Sequence, residues 1–598
     1  MKDTKKVNST IVEFFSKPDA DIPVTETEVS EADTDKKREV VSKTVLTIRS
    51  IFASSAEKSF FAKALEYLYY GLLSCRLSVI AMFLGVFGFT SFSIDFAVSP
   101  TVPGFISNSS NWISVIFIAI AILFAPIKKT LSELLSQSVL FSQFEFSYDR
   151  KVFNTSKKKY RFYDNYSSAF FLGILAGIVS VLFTPIKVFV FTLCVAVCLI
   201  IFNRPESGML LCVFFLPFIK IEFLNVIVAF TFFSLLYKYF RKKRHMSFGI
   251  DEMLLVLCCL MFVLTGFYNV SGSTGLRTTL TLCIAVASFI CVKNLIKSIS
   301  LFNNSVRLIS YTSRILAVVT LVIYLATEIP AIKYINQIHT LDFIEHLTNY
   351  LNSNNYIPLF IATTIPLNLS LAISRDNNKL VENLFLIIQY ACVITSANIY
   401  LIFASVFGTV SALSFHKKKL IFVMPFIPVL AFLLIKVSQY LPTNELMQFN
   451  FAGTMGHHVV SSLLREYPFF GIGLGSDNLV SCISPYASIG TTMGAFPTTL
   501  SAILVCFGIP CSIFLICVIF YFLIKNLKNI IKTDNMCIES KRYASGLICV
   551  CATMLLLGTC IHYTSMSAAV FLAICFSLCG CFKECITADY IDNNRVRQ

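Results

Sequence analysis

The chain has 598 residues, of which 56% are hydrophobic and only 14% are charged, and its mean hydropathy is +0.74. This balance excludes a soluble protein with polar domain surfaces and indicates an integral membrane protein. The net charge of +15 comes from short basic clusters at the ends of apolar runs, so it marks membrane topology rather than a nucleic-acid-binding face.

The amino-terminal segment, residues 1–65, mixes Lys, Asp, Glu, Ser and Thr with few large apolar residues. We predict a largely disordered cytoplasmic tail, and an amphipathic helix on the membrane surface is an alternative for residues 51–70. The start of the chain lacks the apolar core of a signal peptide, so insertion through the first membrane helix is expected.

Residues 66–598 are predicted to form a polytopic membrane domain. Long apolar runs recur from about residue 71 to residue 582, and their length suits helices rather than barrel strands. We predict an all-α polytopic integral membrane protein with about 16 transmembrane helices (range about 14–16) and a large extracytoplasmic loop. Most of the 21 cysteines lie inside apolar runs, so neither a disulfide framework nor a metal site is predicted.

Basic clusters at 241–244, 416–419 and 525–532 orient these helices. Lys and Arg collect on the cytoplasmic side of membrane proteins, which places these clusters and both chain termini in the cytoplasm. Residues 381–414 must then cross the membrane twice, turning at "TSAN", 395–398. Two extracytoplasmic loops result at 328–355 and 439–497, and they are long enough to carry chemistry.

The longer loop contains the titratable residues His457, His458, Arg465, Glu466 and Asp477. The stretch "HHVVSSLLREY" has helical spacing, which would place His458 and Arg465 on one face about two turns apart. Both side chains would then face one ligand. A solvated Arg465–Glu466 surface pair and a metal-binding histidine pair remain alternatives.

Three glycines follow in the same loop, in "YPFFGIGLGSDN": Gly471, Gly473 and Gly475. Successive N–H groups in such a segment can line an anion-binding nest, but glycines also serve simple turns. A nucleotide-binding reading needs a flanking strand and helix, which the sequence does not offer.

Other basic residues on predicted outer segments are Arg277, Lys333, His339 and His346. They are candidates for a second cationic wall, with Arg277 the preferred member, or they are solvated groups and interface anchors.

The phrase "REYPFFGIGLGSDN", followed by a loop and then "LSAILVCFGIPCSIFLI", resembles the O-antigen ligase and O-antigen polymerase family of polytopic glycosyltransferases. In that family a proline, apolar, Gly-x-Gly-x-Gly phrase lies in a large external loop, and a helix ending in Gly-Ile-Pro-Gly follows. The segments "NRPESGMLLCVFFLPFIK" and "LNSNNYIPLFIATTIPLNLSL" also look like segments of Gram-positive-type members. The resemblance spans about residues 165–582.

The resemblance implies transfer or polymerisation of glycan from an undecaprenyl-diphosphate carrier onto a glycan, lipid or protein acceptor at the outer membrane face, in cell-surface polysaccharide biosynthesis. It implies no cofactor, no metal and no nucleotide sugar. Arg465, Arg277, Asp477 and the glycine turn would bind the substrate, with cations at the diphosphate, and His458 or His457 would act as the base. Such an assignment suits the chemistry, because a diphosphate leaving group needs positive charge and an acceptor hydroxyl needs a base.

Two positions differ from the family pattern. In "ITSANIYL", Ser396 fits a Ser-Arg-Gly-like turn but Ala397 stands where the arginine would be, and "MGAFPTTL" lacks the histidine and asparagine usual before the Gly-Ile-Pro helix. Two other functions therefore stay open: a catalytically impaired relative that binds lipid-linked glycan, and a polysaccharide or lipid transporter.

Overall fold

The computed structural model describes most of the apolar part of the chain. With short gaps, the described residues are a few between 47 and 72, and then 75–98, 109–134, 166–241, 246–267, 275–328, 356–416, 459–474, 498–533, 538–560 and 566–597. The predicted tail falls almost wholly outside them.

Every named element of the described residues is an α-helix. In chain order they are α1 (Leu77–Val98), α2 (Ser109–Phe124), α3 (Tyr166–Val179), α4 (Pro185–Asn203), α5 (Pro205–Phe215), α6 (Ile221–Phe240), α7 (Ile250–Phe267), α8 (Leu276–Leu295), α9 (Ile299–Glu328), α10 (Tyr356–Ser374), α11 (Lys379–Thr395), α12 (Ile399–His416), α13 (Thr499–Lys532), α14 (Ile538–Cys560) and α15 (Ser567–Arg597).

Ten of the described helices are long and apolar enough to cross a membrane, and five shorter apolar helices accompany them. The prediction of an all-α, multi-pass membrane protein is therefore confirmed. The total of about 16 spans stays a prediction, because part of the chain lies outside the description.

The chain divides into two compact units. The first comprises Asp21–Gly208 and Phe233–His245, and in it α1 packs against both α2 and α3. Helix α3 presents Ala169, Gly173 and Gly177, spaced by four residues, as its buried stripe. A Cβ at Gly173 would lie 2.9 Å from Val86 Cβ, so small residues set the close approach of these two helices.

The second unit comprises Met209–Phe232 and Met246–Gln598 and contains α7 to α15. Helix α10 is its most buried span and packs against α11, α12 and α14, while α8 packs against α15. A polar residue on such a helix cannot reach water, so each one needs a partner within the bundle.

The turn between α11 and α12 lies where the sequence predicted it. Helix α11 ends at Thr395 and α12 begins at Ile399. Asn398 starts α12 by accepting the N–H of Tyr400 at 3.0 Å, and Ser396 Oγ donates to the carbonyl of Val393 at 2.6 Å. Both contacts satisfy backbone groups that the helix ends leave unpaired.

Candidate functional site

The candidate site begins with a break in helix α13. The helix starts at the N-cap Thr498, whose side chain accepts the N–H of Ser501 at 3.1 Å. At Gly508 the backbone has φ 73° and ψ 174°, a conformation open essentially to glycine alone, and Pro510 follows without an N–H donor. The Gly-Ile-Pro phrase was expected to end a helix. It instead interrupts α13, and the helix continues beyond it to Lys532.

Residues Pro468–Leu474, which we call the glycine strap, lie across this break. The N–H groups of Ile472 and Gly473 donate to the carbonyls of Val505 and Cys506 at 2.9 and 3.1 Å. In return, the Ile509 N–H donates to the carbonyl of Pro468 at 2.8 Å. The strap therefore provides the hydrogen bonds that the broken helix lacks at this turn.

Glycine is required on both sides of this contact. Gly471 and Gly473 have φ of 65° and 90°, in the region that favours glycine. A Cβ on Gly471 would lie 2.6 Å from the carbonyl carbon of Cys506, and one on Gly508 would lie 2.5 Å from that of Phe469. The strap and α13 approach backbone to backbone, which side chains would prevent.

The anion nest predicted for the glycine strap is not available at three of its N–H groups. Those of Ile472 and Gly473 donate to α13, and that of Leu474 donates to the carbonyl of Thr265 on α7 at 3.3 Å. These three N–H groups are therefore not free for an anion, because carbonyls at the break of α13 and the Thr265 carbonyl of α7 accept them, and substrate binding by the glycines stays a prediction. In the described structure Gly471 permits the close approach to α13, and Gly473 permits a positive φ.

A short helical segment, residues 459–466, holds the strap from the preceding side. Val459, Val460 and Leu463 pack with Ile472 of the strap and with Ala502 and Val505 of α13. The helical spacing predicted for this stretch is confirmed over the described residues. The opposite face carries Arg465 and Glu466, whose side chains are exposed within the part of the loop that the structure describes, so Arg465 is available there to a ligand.

Four predicted site residues, His457, His458, Gly475 and Asp477, lie outside the described residues. Their place relative to Arg465 stays a prediction. Among the described residues, no group of three or more His, Cys, Asp and Glu side chains is arranged to hold a metal ion.

Arg277 lies beside the strap, on the first turn of α8. Gly275, two residues earlier, touches the strap so closely that a Cβ there would overlap the carbonyl oxygen of Leu474. The Arg277 guanidinium forms an ion pair with Glu222 on the first turn of α6, and its side chain is 81% exposed. The structure thus brings Arg277 and the glycine strap to the same end of the bundle.

Sequence reasoning missed Glu222. Its position in the first turn of an apolar helix looks like an ordinary N-terminal acid that interacts with the helix dipole. Asn225, nearly one turn further, donates to Thr281 Oγ1 of α8 at 2.9 Å in a buried contact. This bond fixes α6 against α8 and so places Glu222 opposite Arg277.

An ion cluster lies at the other end of α7. Lys293 Nζ lies 2.6 Å from Glu252 Oε1 and 3.3 Å from Asp251 Oδ2, and Lys525 Nζ lies 2.5 Å from Asp251 Oδ1. Helix α7 spans about 21 Å between Asp251 and Thr265, the residue that the strap contacts. The cluster therefore ties α7, α8 and α13 together far from the strap.

The exposed side chains of Arg277 and Arg465 lie on segments that contact the glycine strap, which is itself hydrogen-bonded to α13. Two guanidinium groups can bind the oxygens of a phosphate or diphosphate through charge-assisted hydrogen bonds. Comparison with protein-family models, with curated proteins and with solved structures finds no match to the chain.

Proposed function

We propose that the protein transfers or polymerises glycan from an undecaprenyl-diphosphate carrier onto an acceptor at the outer membrane face, as in cell-surface polysaccharide biosynthesis. One observation carries the proposal. The two phrases on which the family resemblance rests, around Gly471 and around Gly508, are 37 residues apart in the chain yet hydrogen-bonded to each other. A shared junction explains why one chain carries both.

The proposed orientation places the strap end outside the cell membrane. Helix α13 starts at the strap and ends in the basic segment 525–532, and α7 runs from just after the basic cluster 241–244 to the strap. Basic segments favour the cytoplasmic side, so the strap would face outward and both termini inward.

In the proposed reaction, Arg465 and Arg277 stabilise the charge that develops on the departing diphosphate, and the strap keeps them near the break. His458, or its neighbour His457, accepts the proton of the acceptor hydroxyl. The glycan bond to the carrier phosphate breaks, the acceptor oxygen forms the new bond, and the carrier leaves as its diphosphate. Neither a metal nor a nucleotide sugar enters.

The test is release of carrier diphosphate in proteoliposomes. Undecaprenyl-linked glycans extracted from cells that produce the chain serve as donor and acceptor pool, and wild type is compared with Arg465→Ala and His458→Ala. The cation control is Lys583→Ala, an exposed residue on α15. We expect release by wild type and the control, and at least a hundredfold loss in Arg465→Ala, since removal of one group that stabilises transition-state charge costs about 10²–10³.

Two other results would redirect the assignment. Wild type that retains lipid-linked glycan without releasing diphosphate would favour the binding relative, with Ala397 in place of the family arginine as its explanation. Movement of intact lipid-linked glycan between leaflets without release would favour a transporter, a function that the buried charges of α9 and α11 support.

A further inference from the structure

An ion pair lies buried between helices α9 and α11 of the second unit, apart from the strap. The side chains of Arg314 and Glu382 are 7% and 5% exposed. Arg314 Nε also donates to Asn368 Oδ1 of α10 at 3.2 Å, and its guanidinium stacks over Phe385, 5.5 Å from the ring centroid. Charged residues are costly inside membrane-spanning helices, so a buried ion pair there indicates a functional site rather than ordinary packing.

A second set of contacts continues along the same three helices. Gln389 Nε2 of α11 donates to Ser313 Oγ of α9 at 2.8 Å, and Ser313 Oγ lies 2.5 Å from Thr364 Oγ1 of α10. Ser313 precedes Arg314, Thr364 lies one turn from Asn368, and Gln389 lies two turns from Glu382. Helices α10 and α11 therefore each present both of their groups on one face, whereas the adjacent Ser313 and Arg314 of α9 lie about 100° apart and reach different partners.

We call these six side chains the polar seam: Arg314, Glu382, Asn368, Ser313, Gln389 and Thr364. From Glu382 to Gln389 the seam runs about 10 Å along α11, from the helical rise of seven residues. It joins a charged end to a neutral, hydroxyl-rich end.

Two amide atoms of the seam are unsatisfied within the described part of the chain. They are Asn368 Nδ2, a donor, and Gln389 Oε1, an acceptor, on residues that are 1% and 0% exposed. A buried polar atom without a partner costs about 1–3 kcal/mol, so the pair favours an occupant that supplies both kinds of hydrogen bond. A bare cation would satisfy only the Gln389 acceptor, and a bare anion would satisfy only the Asn368 donor. Neither ion therefore suits both amides.

We propose that the polar seam is a water-binding site inside the membrane-spanning helices. Water in the seam accepts from Asn368 Nδ2 and donates to Gln389 Oε1, and the remaining lone pairs of the Ser313 and Thr364 hydroxyls provide further partners of the kind that buried water requires. The site is separate from the strap and does not rest on the proposed glycan transfer.

The experiment is radiolytic hydroxyl labelling of the purified full-length protein, read by mass spectrometry. Radicals formed from bound water modify the nearest side chains, so Phe385, beside Arg314, is the reporter. The reference is Phe302, a fully buried ring packed on Phe582 with centroids 5.6 Å apart. We expect Phe385 to be labelled at least several times faster than Phe302.

Variants separate bound water from contact with detergent or lipid. Gln389→Met keeps the side-chain length and removes the acceptor, and we expect it to lower Phe385 labelling severalfold. Leu386→Met, a buried change on the same helix, should leave labelling unchanged. Thr364→Val provides a second, nearly isosteric removal of a seam hydroxyl if Gln389→Met fails to fold. Phe385 labelling equal to that of Phe302, or unaltered in the folded seam variants, would overturn the proposal.

Discussion

Replacing Gly508 with alanine tests whether the strap and the broken helix form one junction. The native φ of 73° with ψ of 174° disfavours any Cβ, which costs about 1–3 kcal/mol by itself. The new methyl would also lie 2.5 Å from the Phe469 carbonyl carbon, so the strap must move away. Losing its three hydrogen bonds to α13, each worth about 0.5–1.5 kcal/mol, brings the expected total to roughly 3–7 kcal/mol.

The assay is thermal unfolding in detergent, followed with a thiol-reactive fluorescent dye that reports cysteines as they become exposed. The matched control is Gly580→Ala on α15, where the added Cβ would lie an ordinary 3.7 Å from Asn526 Oδ1. Alanine in a helix interior is favoured over glycine by about 0.5–1 kcal/mol, so the control should unfold at or above the wild-type temperature. We expect Gly508→Ala to unfold several degrees below it. Equal midpoints for the two variants would refute the junction.

Three further predictions follow from the other contacts. Lys293→Met leaves Asp251 and Glu252 with less compensating charge and should destabilise by about 3–5 kcal/mol in denaturation, whereas Lys297→Met, from a half-exposed pair, should cost about 0–1 kcal/mol. Gly177→Leu should separate α3 from α1 and lower the unfolding midpoint, because even a Cβ there would lie 2.5 Å from Thr90 Cβ; an unchanged midpoint would contradict this packing. Glu222→Gln should leave the midpoint unchanged and lower the KM for lipid-linked donor, since it frees Arg277; an unchanged KM would remove Arg277 from the donor site.

Features set by neighbours in the chain could be predicted from the sequence. The turn at 395–398 and the start of α13 after residue 497 lie where polar turn residues and basic clusters placed them. Helical spacing likewise predicted the segment that carries Arg465. Each of these depends on a few adjacent residues, whose propensities act locally.

Features set by contact between distant segments could not be predicted. The sequence of the glycine strap suggested a free anion-binding loop. Nothing in that sequence reveals that the carbonyls of Val505 and Cys506 accept hydrogen bonds from its N–H groups. Arg314 likewise looks isolated within α9, and its partner Glu382, on the first turn of α11, resembles an ordinary helix-start acid. Pairings across 33 and 68 residues appear only once the helices are packed.

The most direct test of the central claim is release of undecaprenyl diphosphate by purified wild type and Arg465→Ala in the same proteoliposomes, with the thermal midpoint measured on both samples. The account predicts release by wild type, at least a hundredfold less by Arg465→Ala, and equal midpoints, because Arg465 is exposed. Undiminished release by Arg465→Ala, or no release by a folded wild type, would contradict it.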